Sequence, residues 1–304
     1  LLRTAALAAL GRGVAMGAEG TRGAEDSVSP FRFCLNSGTI RGQKLGVMGE
    51  LETAAQAGYD SIEPWVRDLV ELEEQGGRVE EFRKRMEDLG LTMESAIAFP
   101  RWIVEDNTER SKGMEEAKIA MDVVARAGGV RLACPPAGAT EGPVLDLLVV
   151  AERYRDLLEL GDRMEVVPQL EVWGFSRNLY RLGQAMCVAV EAGHPKSCIL
   201  PDIYHLYRGG SRFEGLRLLS SKSIHVFHVN DYPAEPAREE LTDAHRVFPG
   251  DGVAPINDIL DGLRGPESTV VLSLELFNQA YWQQDALDVA RKGLSKMKAC
   301  VAAL

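Results

Sequence analysis

The feature that most limits how this chain can fold is a repeated alternation along it. From Phe31 onward, short apolar runs rich in β-forming residues give way to stretches of helix length, again and again. The runs predict strands at Phe31–Asn36, Ser61–Glu63, Leu91–Ile97, Val130–Cys134, Glu165–Glu171, Cys198–Asp202, Ile224–His228 and Thr269–Glu275. Between them, helices are predicted at Gly46–Ala57, Val79–Leu89, Glu109–Ala127, Leu145–Leu160, Leu179–Glu191, Arg212–Leu219 and Ile256–Leu263, with a last one from Gln284 to Ala303. Gly58, Gly90, Gly128 and Gly193 each come shortly before a strand, where a left-handed residue ends a helix. Repeated βα units dictate a parallel sheet. Eight of them favour an α/β fold of the (β/α)8 TIM-barrel type in a single domain, and 304 residues suit a fold of about 250 residues plus additions. No GxGxxG follows the first strand, which removes the main dinucleotide-binding alternative.

Composition narrows the partners. The formal net charge of -11 argues against nucleic acid, which calls for a basic surface, and suits a small-molecule or cation ligand. No apolar run is long enough for a membrane span. Cys34, Cys134, Cys187, Cys198 and Cys300 show no CxxC spacing and read as small apolar residues rather than disulfides or zinc thiolates. Residues 1–27 read as an N-terminal extension ahead of a catalytic domain at 28–304. The run LLRTAALAAL fits either an export-signal remnant or a weakly helical extension. The first would place the protein outside the cytoplasm or in the periplasm, the second in the cytoplasm. A homo-oligomer is left open.

In such barrels the chemistry sits at the C-terminal ends of the strands. The fifth strand ends in Glu171, the sixth in Asp202, the seventh in His228 and the eighth in Glu275. An ionised carboxylate there needs a partner, and one imidazole with three carboxylates suits a single divalent ion: Mn²⁺, Mg²⁺, Co²⁺ or Zn²⁺. Glu63 ends the second strand, placed to touch substrate or to support the metal ligands. Trp65, Trp102, Trp173 and Trp282 all fall after strand ends, where flat rings could cover a sugar. His205, three residues after Asp202, is a candidate donor to a substrate oxygen. His225 alternates to the opposite side from His228 and reads as structural.

The segments Asp202-Ile-Tyr-His205, His228-Val-Asn-Asp231 and Pro249-Gly-Asp-Gly252, with Glu171 before and Glu275 after, resemble the xylose-isomerase-like TIM barrels. These are the sugar phosphate isomerases and epimerases of the AP endonuclease family 2 superfamily. The resemblance covers most of the chain from about Phe31. It implies that Glu171, Asp202, His228 and Glu275 hold the metal and that His205 and Arg246 touch a small carbohydrate. It also implies that Glu171 and Glu275 move protons in an isomerase or epimerase acting through an enediolate. A lyase or dehydratase on a keto-sugar or keto-inositol shares the first proton abstraction and is the alternative; a non-catalytic sugar-binding barrel is a third reading. The run Glu171-Val-Trp-Gly-Phe-Ser-Arg177 departs from ketohexose 3-epimerases, which have a second Glu where Arg177 stands. That departure argues against a simple free ketohexose.

Overall fold

In the computed structural model, eight parallel strands follow one another around a barrel: β1 (Phe31–Asn36), β2 (Ser61–Glu63), β3 (Ala96–Ile97), β4 (Arg131–Cys134), β5 (Val167–Glu171), β6 (Ile199–Leu200), β7 (Val226–Val229) and β8 (Val270–Leu274). Residues 30–219, 222–264 and 269–304 are described; the expected extension at 1–27 lies outside them. Continuous ladders join β2-β1-β8-β7 and β3-β4-β5-β6. The pairing of Phe31 with Val270 through Leu35 with Leu274 joins the last strand to the first. Single bridges close the two seams, Ser61 to Thr92 and Trp65 to Ile97 on one side, Ile199 to Ile224 and Asp202 to His228 on the other.

The helices are α1 (Gly46–Ala57), α2 (Val66–Glu74), α3 (Val79–Asp88), α4 (Asn107–Arg126), α5 (Leu147–Met164), α6 (Leu182–Glu191), α7 (Ile203–Arg208), α8 (Ile256–Leu263) and α9 (Ala286–Ala302). Aspartates start three of the longer ones. Asp106, Asp146 and Asp285 accept from the backbone N–H of Glu109, Leu148 and Asp288, satisfying donors that have no partner within the helix. Gly58 ends α1 at φ 88° and donates to Ala54 and Ala55, a conformation in which any Cβ would be strained. Two helices escape the sequence pattern. α2 reads VRDLVELEE and buries only Val66 and Leu69, too narrow an apolar face to stand out; α7 has six residues. The stretch expected as a helix at Arg212–Leu219 is a 3₁₀ segment, Phe213–Leu218, that buries Leu216 alone. β3 is shorter than expected, with Thr92 held only by its single bridge. Among the described residues, no helix is long and apolar enough to cross a membrane.

Two apolar layers result. The larger lies between strands and helices. The smaller fills the barrel's own interior with Cys34, Ile97, Ala133, Leu200, Val226 and Val271. Successive side chains on a strand alternate sides. Two residues further along the same strands, the inward positions are therefore Asn36, Asp202, His228 and Ser273, and after Ser273 comes Glu275. The apolar plug is thus the floor beneath a polar layer at the strands' C-terminal ends.

Trp102 corrects one expectation. It is fully buried, its Nε1 donates to the Pro135 carbonyl at 3.0 Å, and its ring centroid lies 5.9 Å from that of Tyr154. It packs under the loop after β3 rather than lining the mouth. Trp102→Ala should therefore lower unfolding stability by about 3–5 kcal/mol in a denaturant titration. A substrate contact would instead weaken ligand binding with little loss of stability.

Candidate active site

Glu171, His228 and Glu275 come together at the top of the interior, each with one ligand atom within 4.8 Å of the others, and all three are buried. Glu171 Oε2 has no hydrogen-bond partner, nor has His228 Nδ1. His228 Nδ1 lies 3.2 Å from Glu275 Oε2, in a geometry that makes no regular hydrogen bond. The other ring nitrogen of His228 is taken: Nε2 lies 3.0 Å from Glu63 Oε2. That contact fixes the ring and turns Nδ1 toward the two glutamates, as outer-shell carboxylates do for metal-binding histidines. Unpartnered carboxylate and imidazole atoms converging in a buried site fit a divalent cation.

The titration behaviour agrees with that fit. Burial, helped by the negative charges of Glu275 and Asp202, pushes the Glu171 carboxyl up to about 8 against the pull of His228. Burial also opposes a charge on Glu275, but His228 and Arg246 hold it well below the usual carboxylate range. For His228, burial is outweighed by Glu275 and Glu63, which raise it well above an ordinary imidazole. Glu63, Glu171, Asp202 and Glu275 are four buried carboxylates facing two buried cations, His228 and Arg246. A proton on Glu171 and one on His228 supply the same charge as a divalent ion would.

Arg246 occupies the space between Asp202 and Glu275. Its Nη1 donates to Asp202 Oδ2 at 3.1 Å and Glu275 Oε2 at 2.7 Å, and Nη2 donates to Asp243 Oδ1 at 2.5 Å and His205 Nε2 at 2.9 Å. Asp202 therefore points toward Arg246 and stands outside the three-residue cluster. Its second oxygen, Oδ1, caps α7 by accepting from His205 N at 2.7 Å, while Asn230 Nδ2 donates at 2.6 Å to Oδ2, the oxygen that Arg246 engages. Because His205 Nε2 accepts from Arg246, its proton sits on Nδ1, a buried donor with no partner. Burial and Arg246 keep this imidazole neutral by lowering its affinity for a second proton.

These groups form the base of a cavity of about 400 Å³ whose walls include Trp65, Trp173 and Trp282. Glu63 does not reach it. That side chain is wholly buried behind His228, where Asn36 Nδ2 and Ser273 Oγ also donate to Oε2, so it holds His228 in place instead of lining the cavity. His225 lies outside the cavity, as alternation along β7 requires, and Arg177 is exposed and also outside. The sequence reading overlooked Asn36, which donates to both Glu63 and Glu275. Its position ending β1 was the available signal. It also overlooked Ser273, Asn230 and Asp243, whose roles depend on cross-strand partners. The quoted HVND and PGDG segments turn out to be one unit. Asp231 accepts from the backbone N–H of Gly250, Gly252 and Ala254, and its own backbone pairs with Val247, which fixes the loop carrying Arg246.

Known proteins share this arrangement of strands and helices. The sequence profile of the family described as xylose isomerase-like TIM barrel matches residues 51–300. Inosose isomerase from Bacillus velezensis is 25% identical over 284 residues, covering 89% of this chain and 97% of that protein. A crystal structure of IolI protein with a bound zinc atom superposes with a TM-score of 0.80 at 21% identity, over 90% of this chain and 99% of the other. L-ribulose 3-epimerase superposes with a TM-score of 0.71 at 16% identity, over 90% and 95%. At these identities the two superpositions speak for the fold.

Two outcomes are expected from titrating the protein with Zn²⁺ or Mn²⁺. Glu63→Gln removes the charge that orients His228 and should weaken metal affinity by about 10–100-fold in a competition titration with a chelator. In the unaltered protein, affinity should rise with pH, steeply below about 8, where Glu171 still holds its proton, and less steeply above it, while His228 alone keeps one. The sign follows from protons on Glu171 and His228 that the cation must displace. Calorimetry in buffers of different ionisation enthalpy should show proton release approaching about two per ion near neutral pH; uptake, or no exchange, would contradict the assignment.

Proposed function

This chain belongs to the xylose isomerase-like TIM-barrel family, and we propose that it is a divalent-cation-dependent isomerase or epimerase acting on a small carbohydrate through an enediolate. The observation that carries the reading is the pair Glu171 and Glu275. They end β5 and follow β8, flank His228 and both open onto the cavity. Two carboxylates reaching one cavity from different strands are suited to be acid and base for one reaction. One removes the proton from the carbon beside a carbonyl; the other, on the opposite face, supplies a proton to the product carbon. His205 Nδ1–H is a free donor for a substrate oxygen, and Arg246 keeps Glu275 ionised.

Glu171, His228 and Glu275 would hold the cation, with Zn²⁺, Mn²⁺, Co²⁺ or Mg²⁺ as the candidates; Asp202, expected as a fourth ligand, is engaged instead by Arg246, Asn230 and the start of α7. When bound, the cation supplies Lewis-acid stabilisation of the enediolate's charge. Trp65 and Trp173 shield the reacting carbons from water. The name of the Bacillus velezensis relative makes an inosose one substrate to try.

Glu171→Gln and Glu275→Gln keep an oxygen ligand but remove a base. At saturating Mn²⁺ each should lower turnover by roughly 10²–10⁴-fold, with a smaller loss of metal affinity. NMR in D₂O should show deuterium entering the isomerised product. Near-normal turnover by Glu275→Gln would sink the two-base scheme, and loss of water from the substrate would transfer the reading to a lyase.

A further inference from the structure

The polar floor of the cavity, made by Glu171, His205, Arg246 and Glu275, is small beside its walls. Phe99, Trp173 and Phe175 follow one another with ring centroids 5.7 and 5.2 Å apart, and Phe175 stands 5.6 Å from the His205 ring. The aromatic wall therefore passes from the His205 ring through Phe175 and Trp173 to Phe99, and on to Trp65 5.1 Å away. Its outer edges are Phe175, beside His205, and Phe99, further round, 44% and 38% exposed. Exposed rings in a contiguous patch mark a surface that something covers. The cavity of about 400 Å³ falls within the roughly 300–1,000 Å³ that holds drug-sized ligands, which is more than one sugar ring fills. A sugar whose reacting carbons sit on the floor leaves the outer wall uncovered.

Charge decides what the outer part accepts. Among the described residues, Arg246 is the cation lining this cavity, and its guanidinium is already engaged by Asp202, Asp243, Glu275 and His205. Arg41 and Arg67 lie over the Trp65 ring, with guanidinium carbons 4.5 and 4.2 Å from its centroid, and they line a neighbouring groove instead. A phosphate against aromatic walls and beside Glu275 would be desolvated without a free counter-charge. Aromatic faces instead favour another flat, weakly polar face.

Resting on the carbohydrate reading above, we propose that the substrate is an unphosphorylated sugar carrying a second flat-faced ring, which lies against Phe99, Trp173 and Phe175. The ring is an aryl group or a second sugar; both offer the same apolar face. Arg177, the departure from the ketohexose epimerases, takes no part, since it lies outside the cavity.

Isothermal titration of the full chain tests this with matched methyl and phenyl pyranosides of glucose, galactose and mannose, with cellobiose and maltose, and with the corresponding sugar 6-phosphates. For at least one sugar, the phenyl or second sugar ring should tighten binding by about tenfold over its methyl partner, and the 6-phosphate should bind more weakly than either. The phenyl and disaccharide arms identify which ring is preferred. Phe175→Ala, at a half-exposed position, should erase most of that gain while losing less on the methyl partner, with an unchanged melting temperature showing that the variant is folded. A panel in which no added ring improves binding, including one in which nothing binds, overturns the proposal, as does tightest binding by a 6-phosphate. Deuterium exchange separates this from the reaction itself. A ringed sugar that binds without exchanging leaves the ligand class standing and removes the isomerase reading. Exchange confined to sugar phosphates does the reverse.

Discussion

Four carboxylates buried at one end of a barrel must be neutralised from within the protein or by what it binds, and most of the site follows from that constraint. Glu63, Glu171, Asp202 and Glu275 are all nearly or fully out of solvent. Isolated ionised carboxylates in such a place are costly. Arg246 answers two of them directly, and His228 lies between Glu63 and Glu275. Glu171 is left without a cation of its own, and its carboxyl is the one driven toward neutrality. The same deficit that raises Glu171 suits the cluster to a cation.

The supporting residues keep this balance in register. Asn36 spans Glu63 and Glu275 across the β1 end, and Ser273 fixes Glu63 from β8. Asn230 joins Asp202 to the start of α7 by accepting from Tyr204 N. Asp231 anchors the loop that delivers Arg246. Gly252 approaches Asp231 and the Tyr232 carbonyl so closely that a Cβ would collide with both, so a glycine is required there for a packing reason. Each partner comes from a different strand or loop, as expected of a barrel whose reactive groups converge from many strand ends. Networks of this kind are stabilising only when their members are satisfied. Among the atoms left unsatisfied, Glu171 Oε2 and His228 Nδ1 belong to the three-residue cluster and His205 Nδ1 to the cavity floor.

The mouth obeys a different physics. Its Trp and Phe side chains join through edge, tilted and stacked contacts from Trp65 to Phe175, a surface with little charge set directly above a highly charged floor. Such a division separates the tasks of orienting a ligand and transforming it: apolar faces contribute affinity without fixed direction, whereas the few polar groups fix orientation.

By itself the sequence determined the barrel and which strand ends carry carboxylates and an imidazole. The βα alternation is local, and strand ends are where side chains of known parity meet the mouth, so Glu171, Asp202, His228 and Glu275 were legible as residues of one rim, though not that Asp202 turns to Arg246. The bounds of α1 and α8 were legible too, because Gly58 ends the first and a pronounced apolar face marks the second. Only the tertiary structure decided which of two tasks a residue performs. Trp102 and Trp173 carry the same ring after strand ends, yet one is sealed against Tyr154 and the other walls the cavity. Glu63 and Glu275 both stand at the C-terminal ends of their strands, yet one turns behind His228 and the other faces the cavity. α2 and α7 were decided there too, being short, nine and six residues, and held by their neighbours. The physical reason is the same in each case. Alternation along a strand fixes the side to which a residue points, but its depth and partners depend on side chains distant in sequence that the closed barrel brings beside it.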